Sequence, residues 1–98
     1  MQIKIHEAYR KVVALTDTML IGKTFSEDIK QIEVKPKFFK GEEKNKKELI
    51  KILKDLEKED ATFNIVGEES IQTALQAGII SKQGIIKIQE VPIALGLF

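Results

Sequence analysis

Six lysines and two adjacent phenylalanines crowd the thirteen residues Lys35–Lys47, K-P-K-F-F-K-G-E-E-K-N-K-K. Single-stranded RNA is held by cations on its phosphates and by aromatic rings under its bases, each stacked base contributing about 1–3 kcal/mol. Lys35, Lys37, Phe38, Phe39 and Lys40 supply both ingredients in one loop. Lys47, Lys51, Lys54 and Lys58 then recur at helical spacing, a stripe able to follow successive phosphates. Each pattern has a plainer use. Glu42 and Glu43 interrupt the cationic field, and two rings in a lysine-rich loop also serve to tuck it into a core. A lysine stripe opposite an apolar face is what a solvated helix presents, with Asp55 and Glu57 within pairing reach.

The remaining chemistry is sparse. His6 with Asp17 forms the one conceivable acid–base set, but no spacing joins them, and His6 shares the outward face of its segment with Lys4. Gly67 precedes a helical stretch whose backbone N–H groups could bind phosphate, yet Glu68 and Glu69 occupy that first turn and would repel an anion. No Walker-type or dinucleotide-type glycine motif is present. Asn64 lies inside an apolar run, so its carboxamide must find a partner, either across the neighbouring turn or in a ligand. With no cysteine and a single histidine, thiolate chemistry and multi-histidine metal sites are excluded. No catalytic residue, metal or cofactor is expected, and hence no enzyme.

The elements that position these residues follow from periodicity. Ile3 and Ile5 alternate with Lys4 and His6 as a half-buried strand, and Val12–Leu15 is a continuous apolar run suited to a central one. The two form a hairpin. Asp17-Thr18 can cap a short turn through Ile21 that Gly22 ends, residues 24–30 look irregular, and Ile32 with Val34 predicts a third strand stopped by Pro36. Asn45 with Glu48 makes a capping box for a helix to about Lys58, whose Leu49, Ile52, Leu53 and Leu56 share one stripe. Thr62–Val66 reads as a buried strand, Ile71, Ala74 and Leu75 as a helix face, and Gly78 as its left-handed cap. Ile85–Ile88 reads as another strand. The tail Val91–Phe98 has no charged side chain and is either a core strand or an edge for a homodimer.

This order predicts an α+β fold over residues 1–98 as one domain: a two-layer α/β sandwich, its mixed sheet opening with the hairpin and both main helices on one face. Hydrophobic residues at 43% and charged ones at 32% suit an ordered globule. No run approaches about 18 apolar residues, so neither a membrane span nor export is expected, and the location is cytoplasmic. The net charge of +1 divides unevenly, positive over residues 1–47 and negative beyond, which permits an anionic partner on the first half.

Several blocks together resemble the archaeal domain of unknown function 424 family. They are Lys4-Ile5-His6 with Tyr9; Val13-Ala14, Asp17, Leu20, Gly22-Lys23 and Phe25; Phe38-Phe39-Lys40-Gly41-Glu42; Asn64-Ile65-Val66-Gly67-Glu68; and Val91-Pro92. In that family a His-Ala-Gln commonly follows the Val-Pro, whereas Ile93-Ala94-Leu95 stands here, so no role passes to a C-terminal histidine. The resemblance implies that His6, Asp17, Gly22, Gly41, Asn64, Gly67 and Pro92 are motif positions, and that the protein is archaeal and cytoplasmic, without assigned activity. Association with the translation apparatus is our expectation for such a protein. Two readings follow: a non-enzymatic accessory domain for RNA or the ribosome using the Lys35–Lys47 loop and the lysine stripe, or a protein–protein adaptor or homodimer using the apolar tail.

Overall fold

The apolar run at residues 12–15 and the buried run at 62–66 become neighbours at the middle of a six-stranded sheet. The computed structural model describes residues 1–96. Strands β1 (Gln2–His6) and β2 (Val12–Thr16) form the expected hairpin, followed by the two-stranded pair β3 (Thr24–Glu27) and β4 (Lys30–Glu33). Then come helix α1 (Pro36–Phe39), strand β5 (Glu42–Glu43), helix α2 (Lys46–Lys58), strand β6 (Thr62–Val66), helix α3 (Glu68–Ala77), and strands β7 (Ile86–Ile88) and β8 (Val91–Leu95). The large sheet runs β5-β1-β2-β6-β8-β7; β2 and β6 pair in parallel and the other neighbours are antiparallel. The sheet is thus mixed, and the fold is α+β as expected.

Successive strand side chains point to opposite faces, which sorts the core into two halves. Val13, Leu15, Phe63 and Ile65 face one way and meet Leu49, Leu53 and Leu56 of α2 and Ile71, Ala74 and Ala77 of α3. Full burial of each leucine contributes about 1.5–3 kcal/mol. Both main helices therefore lie on one face. The capping box forms: the Asn45 side chain accepts from Glu48 N at 2.8 Å, and Asn45 N donates back to the Glu48 carboxylate at 3.2 Å. Gly78 ends α3 at φ 75°. On the opposite face Ala14, Val66 and Ile93 pack with Val34, Phe39 and Ile88.

That second face departs from expectation in two places. Residues 24–27 form a strand where irregular chain was expected, because Phe25 alone among Thr24–Glu27 is apolar and leaves no alternation to detect. Lys35–Lys47 is not a loop throughout. Pro36, read as a strand terminator, occupies the first turn of α1, where its missing N–H costs nothing. Of the two readings of the tail, the core strand is the one found: β8 is hydrogen-bonded to β6 on one side and β7 on the other, so Val91–Leu95 offers no free ladder for a homodimer edge. Leu97 and Phe98 of that tail lie outside the described residues.

Beside β1 the chain passes very close to itself. Gly41 N donates to the Gln2 side chain at 3.1 Å, and a Cβ on Gly41 would overlap the Ile3 carbonyl oxygen. Glu43 on β5 receives the Met1 amino group at 2.8 Å, Gln2 Nε2 at 2.8 Å and Thr18 Oγ1 at 3.0 Å. The hydrogen bond from the amino terminus, then that from Thr18, holds its carboxyl below the usual range. No side chain fits between β1 and the chain at Gly41. Gly41→Ala should lower stability by about 1–3 kcal/mol in urea unfolding, whereas Gly84→Ala, whose added Cβ meets nothing within 4 Å, should be neutral. Equal midpoints for the two variants would contradict this packing.

Candidate functional site

Lys4 and His6 alternate with Ile3 and Ile5, so they project from the sheet face opposite α2 and α3. There they meet the carbonyl end of α1. Lys4 Nζ donates to Lys37 O at 2.7 Å, and His6 Nε2 lies 2.9 Å from Phe38 O. Cationic and N–H donors suit the exposed carbonyls of a helix end. The His6 ring also stacks on Phe38, with centroids 4.5 Å apart and planes at 16°, and Phe38 meets Phe39 edge-on at 5.1 Å and 74°. A four-residue helix has no stability of its own; this one is held from beneath by Phe39 and from the side by Lys4 and His6.

The two phenylalanines consequently divide the labour. Phe39 is 3% exposed and belongs to the core, so it is not available to stack on a base, which corrects its place among the RNA-contacting candidates. Phe38 is half-buried. Lys35, Lys37 and Lys40, which flank it in the chain, are exposed. Lys47, Lys51 and Lys54 are exposed too, but on α2, and α2 covers the opposite face of the sheet from α1. The loop and the stripe therefore do not adjoin as one surface.

Between α1 and β6 lies a cavity of about 320 Å³, with Lys35, Glu33 and Phe38 on one side and Asn64 and Leu95 on the other. Asn64 is 9% exposed, and its Nδ2 has no hydrogen-bond partner among the described residues. The partner across the turn foreseen for it is absent there. Thr62, two residues earlier on the same face and 8% exposed, likewise leaves Oγ1 unpartnered. The local sequence marks Asn64 and Phe38 separately but not their meeting at one cavity, because α1 and β6 come together only through the sheet.

His6 and Asp17 stay apart. His6 pairs with Val12 at one end of β2, while Asp17 follows Thr16 at the other, about 16 Å along the strand. Asp17 instead serves α3. Its carboxylate accepts from Glu69 N at 3.2 Å, Ser70 N at 2.8 Å and Ser70 Oγ at 2.7 Å. It caps that helix across the fold rather than the adjacent 3-10 turn Thr18–Leu20, where its side chain makes no capping bond. Gly67, at φ 113°, leaves the room: a Cβ there would run into the Asp17 carboxylate. The helix start read as a possible phosphate site thus already holds an anion of the protein's own. Gly22, at φ 89°, closes the 3-10 turn and donates to Val34 O at 2.7 Å, and Pro92 O accepts Gly67 N at 2.9 Å. Among the described residues no cluster of three His, Asp or Glu could hold a metal ion, and no helix is long and apolar enough to cross a membrane.

These motif positions prove to be joints of one framework, and the family model described as protein of unknown function (DUF424) matches residues 5–96. The chain belongs to the DUF424 family. Its fold is similar to the crystal structure of an uncharacterized conserved protein from Methanopyrus kandleri, with a TM-score of 0.82 at 20% identity, covering 99% of this chain and 93% of that one. No curated protein matches it. For this DUF424 chain the cap across the fold gives a direct expectation. Asp17→Ala should cost about 1–2 kcal/mol in chemical unfolding, with amide exchange accelerated first at Glu69 and Ser70. Protection of those two amides equal to wild type would remove Asp17 from that role.

Proposed function

We propose that this protein is a non-catalytic RNA-associated module that holds single-stranded RNA, free or displayed on a ribonucleoprotein, against the α1 face of its sheet. The observation that carries the proposal is the partly exposed Phe38 ring, fixed by His6 and Phe39, with the exposed Lys35, Lys37 and Lys40 flanking it in the chain. None of those three lysines has an ion-pair partner among the described residues, whereas Arg10, Lys11 and Lys44 are each paired with a carboxylate. Unpaired cations around a ring are what a phosphate backbone and its bases require. The α2 stripe has unpaired lysines as well but no aromatic residue in its helix, so it provides charge without stacking. The engagement of His6 with the Phe38 carbonyl gives it a positioning task and supports the non-catalytic part of the proposal.

Fluorescence anisotropy with a single-stranded RNA octamer, across a salt series, tests it. Lys37→Ala/Lys40→Ala should weaken binding at low salt by about tenfold and reduce the slope of log K against log salt by about 1.4, the share of two phosphate contacts. Lys51→Ala/Lys54→Ala should leave both within about twofold. Loss of binding in the α2 variant with none in the α1 variant would overturn the proposal, as would equal affinity in all three proteins.

A further inference from the structure

We infer that the cavity between α1 and β6 is a pocket for a single unpaired nucleobase, recognised through the Asn64 carboxamide; this rests on the RNA-binding proposal and names what that site reads.

Asn64 sits in register between Ala14 of β2 and Leu95 of β8. Ala14 is covered by the packing of Val34 and Phe39, whereas Asn64 and Leu95 line the cavity together with Phe38. An amide nitrogen buried without a partner costs about 1–3 kcal/mol, and most native chains avoid it. Nδ2 is itself buried, so a ligand that brings an acceptor recovers the cost as the carboxamide turns toward the cavity that Asn64 lines. A hydrocarbon ligand would leave the amide unpaired. A carboxamide offers both a donor and an acceptor, the pairing that base edges present.

Size and charge narrow the class. A cavity of about 320 Å³ is at the small end of ligand sites, suited to one planar ring system and not to a whole cofactor. The rim holds Glu33 beside Lys35, so the interior is close to neutral and unsuited to a phosphate, which the Glu33 carboxylate would repel. The phosphates therefore remain outside, where Lys37 and Lys40 are exposed. His6 stacks on Phe38, Phe38 and Phe39 pack edge to face, and Phe38 also lines the cavity, which puts an aromatic residue beside the base. Leu95, 48% exposed, supplies an apolar wall opposite. Beyond Leu95 a second hollow of about 350 Å³ reaches Thr62, whose hydroxyl is the other unpartnered buried group of β6.

The test compares octamers of uridylate, cytidylate and adenylate on the full chain at one low salt concentration. Wild type should separate its best and worst octamer by about tenfold. Asn64→Leu, close to isosteric and unable to hydrogen-bond, should bring all three within about twofold while the salt slope stays at its wild-type value. Its thermal midpoint should be no lower than wild type, since an unpaired amide has been removed. Asn64→Ala removes the carboxamide without adding volume and should level the three affinities in the same way, which keeps the test decisive if the leucine does not fit. A folded variant that preserves the wild-type order of affinities overturns the pocket and leaves the RNA-binding proposal standing, and so does a wild type that binds all three octamers equally. Failure of wild type to bind any octamer at low salt overturns both.

Discussion

Side chains alternate along a strand, and on the parallel pair β2 and β6 that alternation decides what every other part of the molecule does. Val13, Leu15, Phe63 and Ile65 take the face that α2 and α3 cover, and Ala14, Thr62, Asn64 and Val66 take the other. A slip of one residue in β6 would bury Asn64 beneath two helices and turn Phe63 and Ile65 toward α1. The same division separates the two groups of lysines by the full thickness of the sheet. Charge that looks continuous along the chain from Lys35 to Lys54 is therefore two surfaces, each with its own neighbours.

The two faces are closed to different degrees. Thirteen residues of α2 and ten of α3 seal the first. A two-stranded hairpin and the four residues of α1 cover the second, and they leave a gap over Asn64. The short helix is nonetheless a rigid wall, because Phe39 anchors it in the core and Lys4 and His6 hold its carbonyls. An aromatic ring fixed before binding carries less entropic cost into a complex than one on a mobile loop. That ring, the exposed lysines that flank it in the chain and the unpartnered Asn64 amide on β6 are the features on which the proposed RNA site rests. In this DUF424 protein the motif positions Asp17, Gly41 and Gly67 have structural work nearby: a cap, a close approach and the space for that cap.

Local chemistry was legible in the sequence wherever it decided the outcome locally. The hairpin from Ile3 and Ile5, the Asn45–Glu48 capping box, the single apolar stripe of α2 and the Gly78 cap all appear as read. Asp17 shows the limit. Next to Thr18 it has every mark of a cap for the following turn, yet its carboxylate spans more than fifty residues to reach Ser70. Pro36 was equally ambiguous, since the same fixed φ ends a strand and begins a helix. The candidate site was half visible. Phe38 and the lysines were apparent from composition, but the burial of Phe39, the placement of α2 behind the sheet and the meeting of Phe38 with Asn64 depend on strand order, which no local pattern encodes.

The claim that nucleic acid is received on the α1 side of the sheet is tested most directly by titrating the isotopically labelled protein with a single-stranded RNA octamer and following its amide resonances. The account predicts that the shifts concentrate at Lys37, Phe38, Lys40 and the side-chain amide of Asn64, with α2 unmoved. Shifts confined to Lys47–Lys58 would contradict it.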